Sequence, residues 1–313
     1  MALILSQRET EKLIDMPRAL RVVEGMFRDR AEGKLQSLPR RRLKGSRKQL
    51  NIMAAYHSEW DLLCLRAYAM PTNTITLYSG RTGAIQAIFA ATYLSSLRTG
   101  AASGVAARYL APRVSSTLGV IGPGWQAAFQ VAAIVHACPV REVLVFGRNP
   151  KKTREFIRQM ASRFRVDLKE SAAIEEVEAA ADIFVLATDA TSPMTDGERL
   201  KGEVLVISMG ANQPVKHEVS SQLIRRMDLV VTDDPATAQT DSGDLIAACN
   251  AGILRWEDVV PLERVVAEGG VSPRPKKILF QSNGIADEDL AVARYVLGQI
   301  RRRGFRAKKL AVI

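Results

Sequence analysis

Residues 118–127 read Leu-Gly-Val-Ile-Gly-Pro-Gly-Trp-Gln-Ala, an apolar run that ends in Gly122-x-Gly124-x-x-Ala127 and continues as a helical pattern. A strand that turns at once into a helix needs Gly122 for the tight turn. Gly124 has no Cβ and lets a ligand approach the backbone, while Ala127 lets the helix lie close to the strand. The bare amides and the positive helix end then face one point, a site suited to phosphate. Such a glycine pattern alone also occurs in turns that bind nothing. Here the context is complete: a strand candidate at 116–121, a helix candidate at 125–136 and a second strand at 142–146. Together they match the ~30 residues of a βαβ element. The expectation is a dinucleotide held by Gly122, Gly124, Trp125, Gln126 and Ala127, and with it hydride chemistry.

The stretches TLGVIG, EVLVFG, ADIFVLAT, EVLVISMG and DLVVTDD are short apolar strands separated by helical segments. That alternation means a parallel sheet covered on both faces. Ligands at such sheets bind beyond the carboxyl ends of the strands, which places Thr188, Met209, Gly210 and Ala211 at the coenzyme edge. The chain before residue 116 is organised differently. Ser6-Gln7-Arg8-Glu9 is a capping box that opens a short helix. Asp15 and Pro17 open a second, with Leu20, Val23, Met26 and Phe27 on one face. Residues 50–89 are strand-like, with Gly80-Arg81-Thr82-Gly83 as a hairpin turn. An alanine-rich helix follows at about 99–110. A last helix at about 287–303 carries Leu290, Ala293, Val296, Leu297 and Ile300 on one stripe, and no strand of the parallel sheet follows it. The fold class is therefore α/β: a Rossmann-type, doubly wound parallel sheet with a second α+β domain, to which the last helix returns.

Composition narrows the partners. The 313 residues include 44 Lys and Arg against 33 Asp and Glu, a net charge of +11. Much of the excess lies in Arg40-Arg41-Arg42 with Lys44, Arg47 and Lys48, and in Arg301-Arg302-Arg303 with Arg306, Lys308 and Lys309. Neither cluster is interleaved with aromatics, so base stacking is not indicated and no nucleic acid is expected. No apolar run approaches the ~18 residues of a membrane span. The N-terminus turns polar too early for a signal peptide. Cys64, Cys138 and Cys249 are few and scattered, as in a reducing cytoplasm. They share no ligand spacing with His57, His136 and His217, so no metal is expected.

Coenzyme choice is usually set about 20 residues beyond the glycine turn, at the end of the second strand. Phe146 is followed there by Gly147-Arg148-Asn149-Pro150-Lys151-Lys152. No carboxylate is present to bond a ribose 2′-hydroxyl. Arg148, Asn149 and Lys152 offer donors to a 2′-phosphate instead, so NADP(H) is preferred and NAD(H) remains possible.

With these elements in order, the chain resembles the ornithine cyclodeaminase/mu-crystallin family, nearly end to end. The segments that carry the likeness are Pro39-Arg-Arg-Arg-Leu43, Asn51-Ile-Met-Ala-Ala-Tyr56, Leu65-Arg-Ala-Tyr68, Leu97-Arg-Thr-Gly-Ala-Ala-Ser103, Gly122-Pro-Gly-Trp-Gln-Ala127, Gly210-Ala-Asn-Gln-Pro214 with Glu218, Ser242-Gly-Asp-Leu245, and Ser282-Asn-Gly-Ile-Ala-Asp-Glu-Asp289. The resemblance implies a Rossmann domain, 116–287, inserted in a substrate-binding and dimerisation domain of residues 1–115 and 288–313. It implies a homodimer and small α-amino acids or their imines as substrates. It also assigns residues. Arg98 and Arg41 match the carboxylate-binding arginines, with a one-residue slip within 40–42 left open for the second. Thr99 matches a residue at the coenzyme phosphates, and Ser282 and Gly284 a strand end and loop facing the nicotinamide.

Two positions depart from the family pattern. Arg66 stands where a lysine is usual, and Asn212 where ornithine cyclodeaminases have an aspartate. Cyclodeamination removes hydride from Cα, expels ammonia, closes a ring and returns the hydride. Each step moves protons, so the site needs groups that titrate near neutrality. Arginine does not, and asparagine neither titrates nor holds a distal ammonium as an anion. The expected activity is therefore an NAD(P)-dependent imine reductase or amino-acid dehydrogenase, with Arg41, Arg66, Arg98 and Asn212 at the reacting site. A dicarboxylic or keto-imino acid fits the added positive charge. The alternatives are ornithine cyclodeaminase with altered proton shuttling and a non-catalytic NADPH-binding protein. His57 and Tyr68 stand nearby in sequence, His57 read as a loop residue and Tyr68 as a packed strand residue.

Overall fold

The computed structural model describes residues 2–305 and 307–310; Arg306 of the C-terminal basic cluster lies outside them. The chain forms two compact units, Met1–Thr99 with Gly284–Ile313 and Gly100–Asn283. The first change of unit thus falls at 99/100, inside one continuous helix, and the second at 283/284, where the sequence places them at 115/116 and 287/288.

In the first unit, β1 (Ala2–Leu5), α1 (Gln7–Glu11) and α2 (Met16–Ala31) lead into a meander of β2 (Leu35–Lys44), β3 (Gln49–His57), β4 (Leu62–Ala69), β5 (Thr72–Ser79) and β6 (Ile85–Ala90). From the far end of the chain come α11 (Ala286–Arg303) and β17 (Lys308–Leu310). The sheet runs β17-β1-β6-β5-β4-β3-β2; the meander is antiparallel and β1 lies parallel to β6. Ser6 and Glu9 form the expected capping box. Asp15 accepts from Arg18 N at 3.1 Å and starts α2, whose Leu20, Val23, Met26 and Phe27 are all buried. The apolar stripe of α11 is buried too, and α11 packs on α2 and across β2, β3, β4 and β5. One face of β3, β4 and β5 therefore lies under helices: Met53, Ala55, Cys64, Arg66, Ile75 and Leu77 are buried there. β1 and β2 are absent from the sequence reading, β1 because four residues show no period and β2 because its centre is three arginines.

α3 spans Thr92–Leu110, seven residues earlier in onset than the sequence places it. Leu94, Leu97, Ala101, Ala102, Val105 and Ala106 are all buried, so little amphipathic period marks its start.

The second unit contains β7 (Thr117–Ile121), α4 (Trp125–Ala137), β8 (Glu142–Phe146), α5 (Pro150–Ala161), β9 (Asp167–Glu170), α6 (Ile174–Ala180), β10 (Ile183–Leu186), β11 (Thr191–Thr195), β12 (Val204–Ser208), β13 (His217–Val219), α7 (Ser221–Arg225), β14 (Leu229–Thr232), α8 (Pro235–Asp241), α9 (Gly243–Asn250), β15 (Val259–Pro261), α10 (Leu262–Ala267) and β16 (Lys277–Gln281). Eight strands make an all-parallel sheet in the order β15-β14-β16-β12-β10-β7-β8-β9. The five expected strands are all present, and β9, β15 and β16 join them. β16 takes a central place between β12 and β14, although its run of five residues is preceded by prolines and lysines that read as a loop. The strand order reverses at β7, so the glycine turn after β7 occupies the switch point where α/β sheets bind ligands. No helix among the described residues is long and apolar enough to cross a membrane.

Candidate functional site

The turn after β7 has the geometry its glycines imply. Gly122 has φ +89°, and a Cβ there would lie 2.7 Å from Ala187 O and 2.8 Å from Thr188 Cγ2. No other residue fits without displacing the end of β10. Gly124 differs: a Cβ built on it meets no atom within 4 Å, so the space in front of it is open. Gly124 is also the N-cap of α4 and has no side chain with which to occupy the first helical amides. Ala127 is fully buried, and the small Gly119 of β7 packs against Val177 and Ala181. Trp125 is exposed and Gln126 half-buried at the first positions of α4. A cavity of ≈ 590 Å³ opens onto this turn and is lined in part by Gly122, Gly124, Arg148, Asn149, Lys152 and Thr188. Open glycine backbone, a helix start whose N-cap residue has no side chain, and a cavity of ligand size fit a dinucleotide.

The polar residues after β8 stand in two different settings. Arg148 and Lys152 are exposed in the cavity wall. Asp189, the carboxylate of that wall, is held by Lys216 Nζ at 2.6 Å. Asn149 also lines the cavity, yet its Oδ1 accepts from Lys152 N at 3.1 Å and caps α5. Its oxygen therefore has a structural partner of its own.

Beyond the carboxyl ends of β10 and β12, buried carboxylates organise the loops. Glu218, fully buried on β13, accepts from Thr188 N (2.6 Å), Thr188 Oγ1 (2.8 Å), Ser208 Oγ (2.9 Å), Met209 N (3.0 Å) and Gly210 N (2.7 Å). Burial holds its carboxyl above the usual range despite those donors. Asp244 at the start of α9 accepts from Glu218 N at 3.1 Å and lies 3.2 Å from Ser208 Oγ. Burial first, and repulsion from Glu218 second, push its carboxyl up to about 7. Met209 and Ala211 are buried beside these loops, and Asn212 is half-buried, its main-chain N–H donating to Gly210 O at 2.9 Å. At the next strand ends, Asp233 accepts from Asn283 N at 2.8 Å and Ser282 Oγ at 3.4 Å. The sequence quotes Glu218 and Asp244 within family segments without a task for either.

The first unit gathers arginines. Arg66 of β4, 4 % exposed, donates to Asp289 Oδ1 (2.9 Å) and Ser95 Oγ (2.9 Å), and its Nε is buried without a hydrogen-bond partner. Arg98 of α3 donates to Glu288 Oε2 (2.9 Å) and Asp289 Oδ1 (3.1 Å). Arg30 pairs with Asp287 at 3.0 Å. All three acids are fully buried in the first turn of α11, where the helix dipole also favours them. Burial lowers the pKa of Arg66, with Arg98 and Arg40 adding repulsion and Asp289 opposing it; Arg98 is raised because Asp289 and Glu288 outweigh its burial.

Arg41 is not part of this cluster. It is exposed, and Arg40 is the buried neighbour, donating to Met53 Sδ (3.2 Å) and to Gly284 O (3.2 Å). The β2–β3 register shifts between Leu38 and Arg41, and that irregularity reverses which residues face inward. Strict alternation could not find it. Gly284, φ +78°, lies directly under the Arg98 guanidinium, where a Cβ would collide with it. Thr99 is nearly buried in mid-helix, with its hydroxyl bonded to Ser95 O at 2.9 Å. His57 ends β3 rather than lying in a loop; it is fully buried, 3.2 Å from Asp29 Oδ2 and stacked on Trp60. Tyr68 packs under Arg66, 5.0 Å from the guanidinium carbon to the ring centre.

Comparison with known proteins adds the family. A model of the "Ornithine cyclodeaminase/mu-crystallin family" matches residues 1–304. The chain is 32% identical over 308 residues to alanine dehydrogenase of Archaeoglobus fulgidus, covering 94% of each protein. Its structure is similar to that of Thermococcus litoralis Δ1-pyrroline-2-carboxylate reductase in complex with NADH and L-proline (TM-score 0.93, 27% identity, 98% of this chain and 100% of that one). It is also similar to the iminosuccinate reductase of Paracoccus denitrificans in complex with NAD+ (TM-score 0.91, 25% identity, 99% of each). A dimeric archaeal alanine dehydrogenase with bound NAD superimposes comparably (TM-score 0.91, 30% identity, 100% of this chain and 99% of that one).

Proposed function

This chain belongs to the ornithine cyclodeaminase/mu-crystallin family, and on that premise we propose that it passes hydride between a nicotinamide coenzyme and the α-carbon of a small amino acid or its imine. The observation that carries the reading is the buried set Arg40, Arg66 and Arg98. Guanidinium groups hold carboxylates in two-point contacts and stay charged at every working pH, so they bind and orient rather than relay protons. Reduction of a protonated imine suits such a site. The nitrogen already bears its proton, both electrons arrive with the hydride, and the product is the amine. Bound reduced nicotinamide would supply that hydride. Gly122, Gly124 and the first amides of α4 would hold its pyrophosphate, and Thr188, Ala211 and Ser282 would shape the strand-end side of its site. Cyclodeamination needs repeated proton transfers, and neither Arg66 nor Asn212 performs them.

The same residues point to finer assignments. Arg148 and Lys152 favour NADPH over NADH, since a 2′-phosphate gains charge-assisted bonds where no acid follows Phe146. In the first unit the buried Arg66 and Arg98 share the buried Asp289, Arg98 also pairs with Glu288, and the buried Arg40 donates to Gly284 O beside them. We read this concentration of guanidiniums as a preference for substrates with a second carboxylate, in keeping with the iminosuccinate reductase among its relatives. A homodimer fits the sheet face opposite the helices, where Leu38, Leu43, Leu50 and Leu63 are exposed. The test is coenzyme oxidation with 2-keto acids plus ammonia or methylamine. The reading expects turnover, faster for a four-carbon dicarboxylic acid than for a three-carbon monocarboxylic one. Absence of turnover with every imine, or release of proline and ammonia from ornithine without net coenzyme change, overturns it.

A further inference from the structure

We propose that Glu218 and Asp244 are positioning residues that share one proton through Ser208 and so make coenzyme affinity depend on pH. The inference rests on the dinucleotide reading of the cavity at Gly122 and Thr188.

The geometry is that of one carboxylate gathering two strand ends. Five donors converge on Glu218: two from Thr188 after β10, and the Ser208 hydroxyl with the amides of Met209 and Gly210 at the end of β12. Thr188 lines the coenzyme cavity, and its Cγ2 and the Ala187 carbonyl are the atoms that crowd Gly122. A Cβ on Gly210 would collide with Thr188 O and with the Glu218 carboxylate, so the two loops are packed to their limit. Glu218 thus fixes the wall of the coenzyme site without lining the cavity itself.

Asp244 fixes Glu218 in turn, through the Glu218 amide (3.1 Å) and the Val219 amide (3.3 Å). Ser208 Oγ stands 2.9 Å from Glu218 Oε2 and 3.2 Å from Asp244 Oδ2. One hydroxyl carries one proton and can donate to only one carboxylate. With Asp244 neutral the chain closes: Asp244 donates to Ser208 Oγ, and Ser208 donates to Glu218. With Asp244 ionised, two buried anions compete for that hydroxyl, and the repulsion falls on the loop ends. His217 on β13 faces the pair, its Nδ1 3.5 Å from Asp244 Oδ1. The packed helices bring buried Asp241 on α8 and exposed Arg225 on α7, while Lys216 is engaged with Asp189. Glu218 is the ionic neighbour that raises Asp244.

The sign follows. Asp244 is raised from an ordinary 3.8 to about 7. Between those values the folded protein holds a proton that the unfolded chain has lost. The cost of ionising the buried pair is absent below the lower value, grows as pH rises and is complete above the upper one. Coenzyme, itself an anion, binds the protonated form better.

The experiment is fluorescence titration of the full-length protein with NADH between pH 6 and 8.5. NADH serves because it lacks the titrating 2′-phosphate of NADPH. The wild type is expected to weaken by roughly fivefold to tenfold across that range. Asp244→Asn, which keeps a neutral donor toward Ser208, is expected to bind with a flat profile. Glu218→Gln is expected to raise the coenzyme KM by tenfold or more at every pH, with a smaller change in kcat. Ser208→Ala, a smaller change, reports on the bridge if Glu218→Gln does not fold. A wild-type slope retained in Asp244→Asn overturns the proposal, as does wild-type affinity in Glu218→Gln or a flat profile in the wild type. Saturable NADH binding with any of those results leaves the functional reading intact and removes only this one.

Discussion

On the proposed reading the two units would receive anions by opposite means. The Gly100–Asn283 unit offers backbone amides: Gly124 opens the space, Gly122 makes the turn, and the start of α4 supplies partial positive charge without an ionised group at the turn. The other unit offers full charges, Arg40, Arg66 and Arg98, and pairs the last two with the buried Glu288 and Asp289. A backbone site costs little stability because the first amides of any helix lie outside its i→i−4 ladder and exist anyway. A buried ionic site is stable only while every charge keeps its partner. The first is tuned by removing side chains, the second by counting charges.

That contrast is broken most forcefully at Arg98. Arg98→Met removes the guanidinium shared by Glu288 and Asp289 and is expected to cost about 3–5 kcal/mol, as breaking a buried pair does. Thermal melting checks it, and a change below about 1 kcal/mol, the scale of an exposed pair, would place the cluster in solvent. The glycines sharpen the other side. Gly122→Ala puts a Cβ at positive φ against Ala187 O, with a strain of about 1–3 kcal/mol and loss of coenzyme binding. Gly124→Ala should melt like the wild type yet bind coenzyme at least tenfold more weakly, since its Cβ occupies only the ligand's space. Equal effects of both in melting and binding would erase the distinction between turn and cradle. Arg148→Ala with Lys152→Ala should weaken NADPH roughly tenfold to a hundredfold through lost charge-assisted bonds and leave NADH nearly unchanged. Parallel titrations decide that, and equal losses for both coenzymes would remove the 2′-phosphate role. The smallest effect is expected at Asn149→Ala, about 1 kcal/mol of stability from the lost cap of α5.

The same contrast explains what was legible in the sequence. A backbone site leaves a local signature, glycines at fixed spacing between an apolar strand and a helix, and the turn, β7, α4 and β8 stand where that signature puts them. The ionic site is assembled from residues far apart in the chain: Arg66 and Arg98 meet Asp289 across 223 and 191 positions. An acidic triplet in the first turn of an amphipathic helix looks like a solvated helix start, and only the packing of α11 on the sheet buries it. Arg40 rather than Arg41 turns inward because the β2–β3 register slips, which no period-two reading detects. β16 has a short apolar run with loop-like flanks, so only the resemblance, which puts a strand end at Ser282, points to it, although the centre of the sheet depends on it. The Glu218 and Asp244 pair was visible only as residue types; their shared proton depends on Ser208, which burial brings between them.

The central claim is hydride transfer to the carbon of an imine held by guanidinium groups, and isotope transfer tests it directly. NADPH or NADH deuterated at the C4 position is incubated with the protein, a 2-keto acid and ammonia, and the amino acid formed is examined by mass spectrometry and proton NMR. The account predicts one deuterium at Cα in the product, in step with coenzyme oxidised, and loss of that signal in Arg66→Met. Coenzyme that stays reduced with every imine while ornithine is converted to proline and ammonia would contradict it.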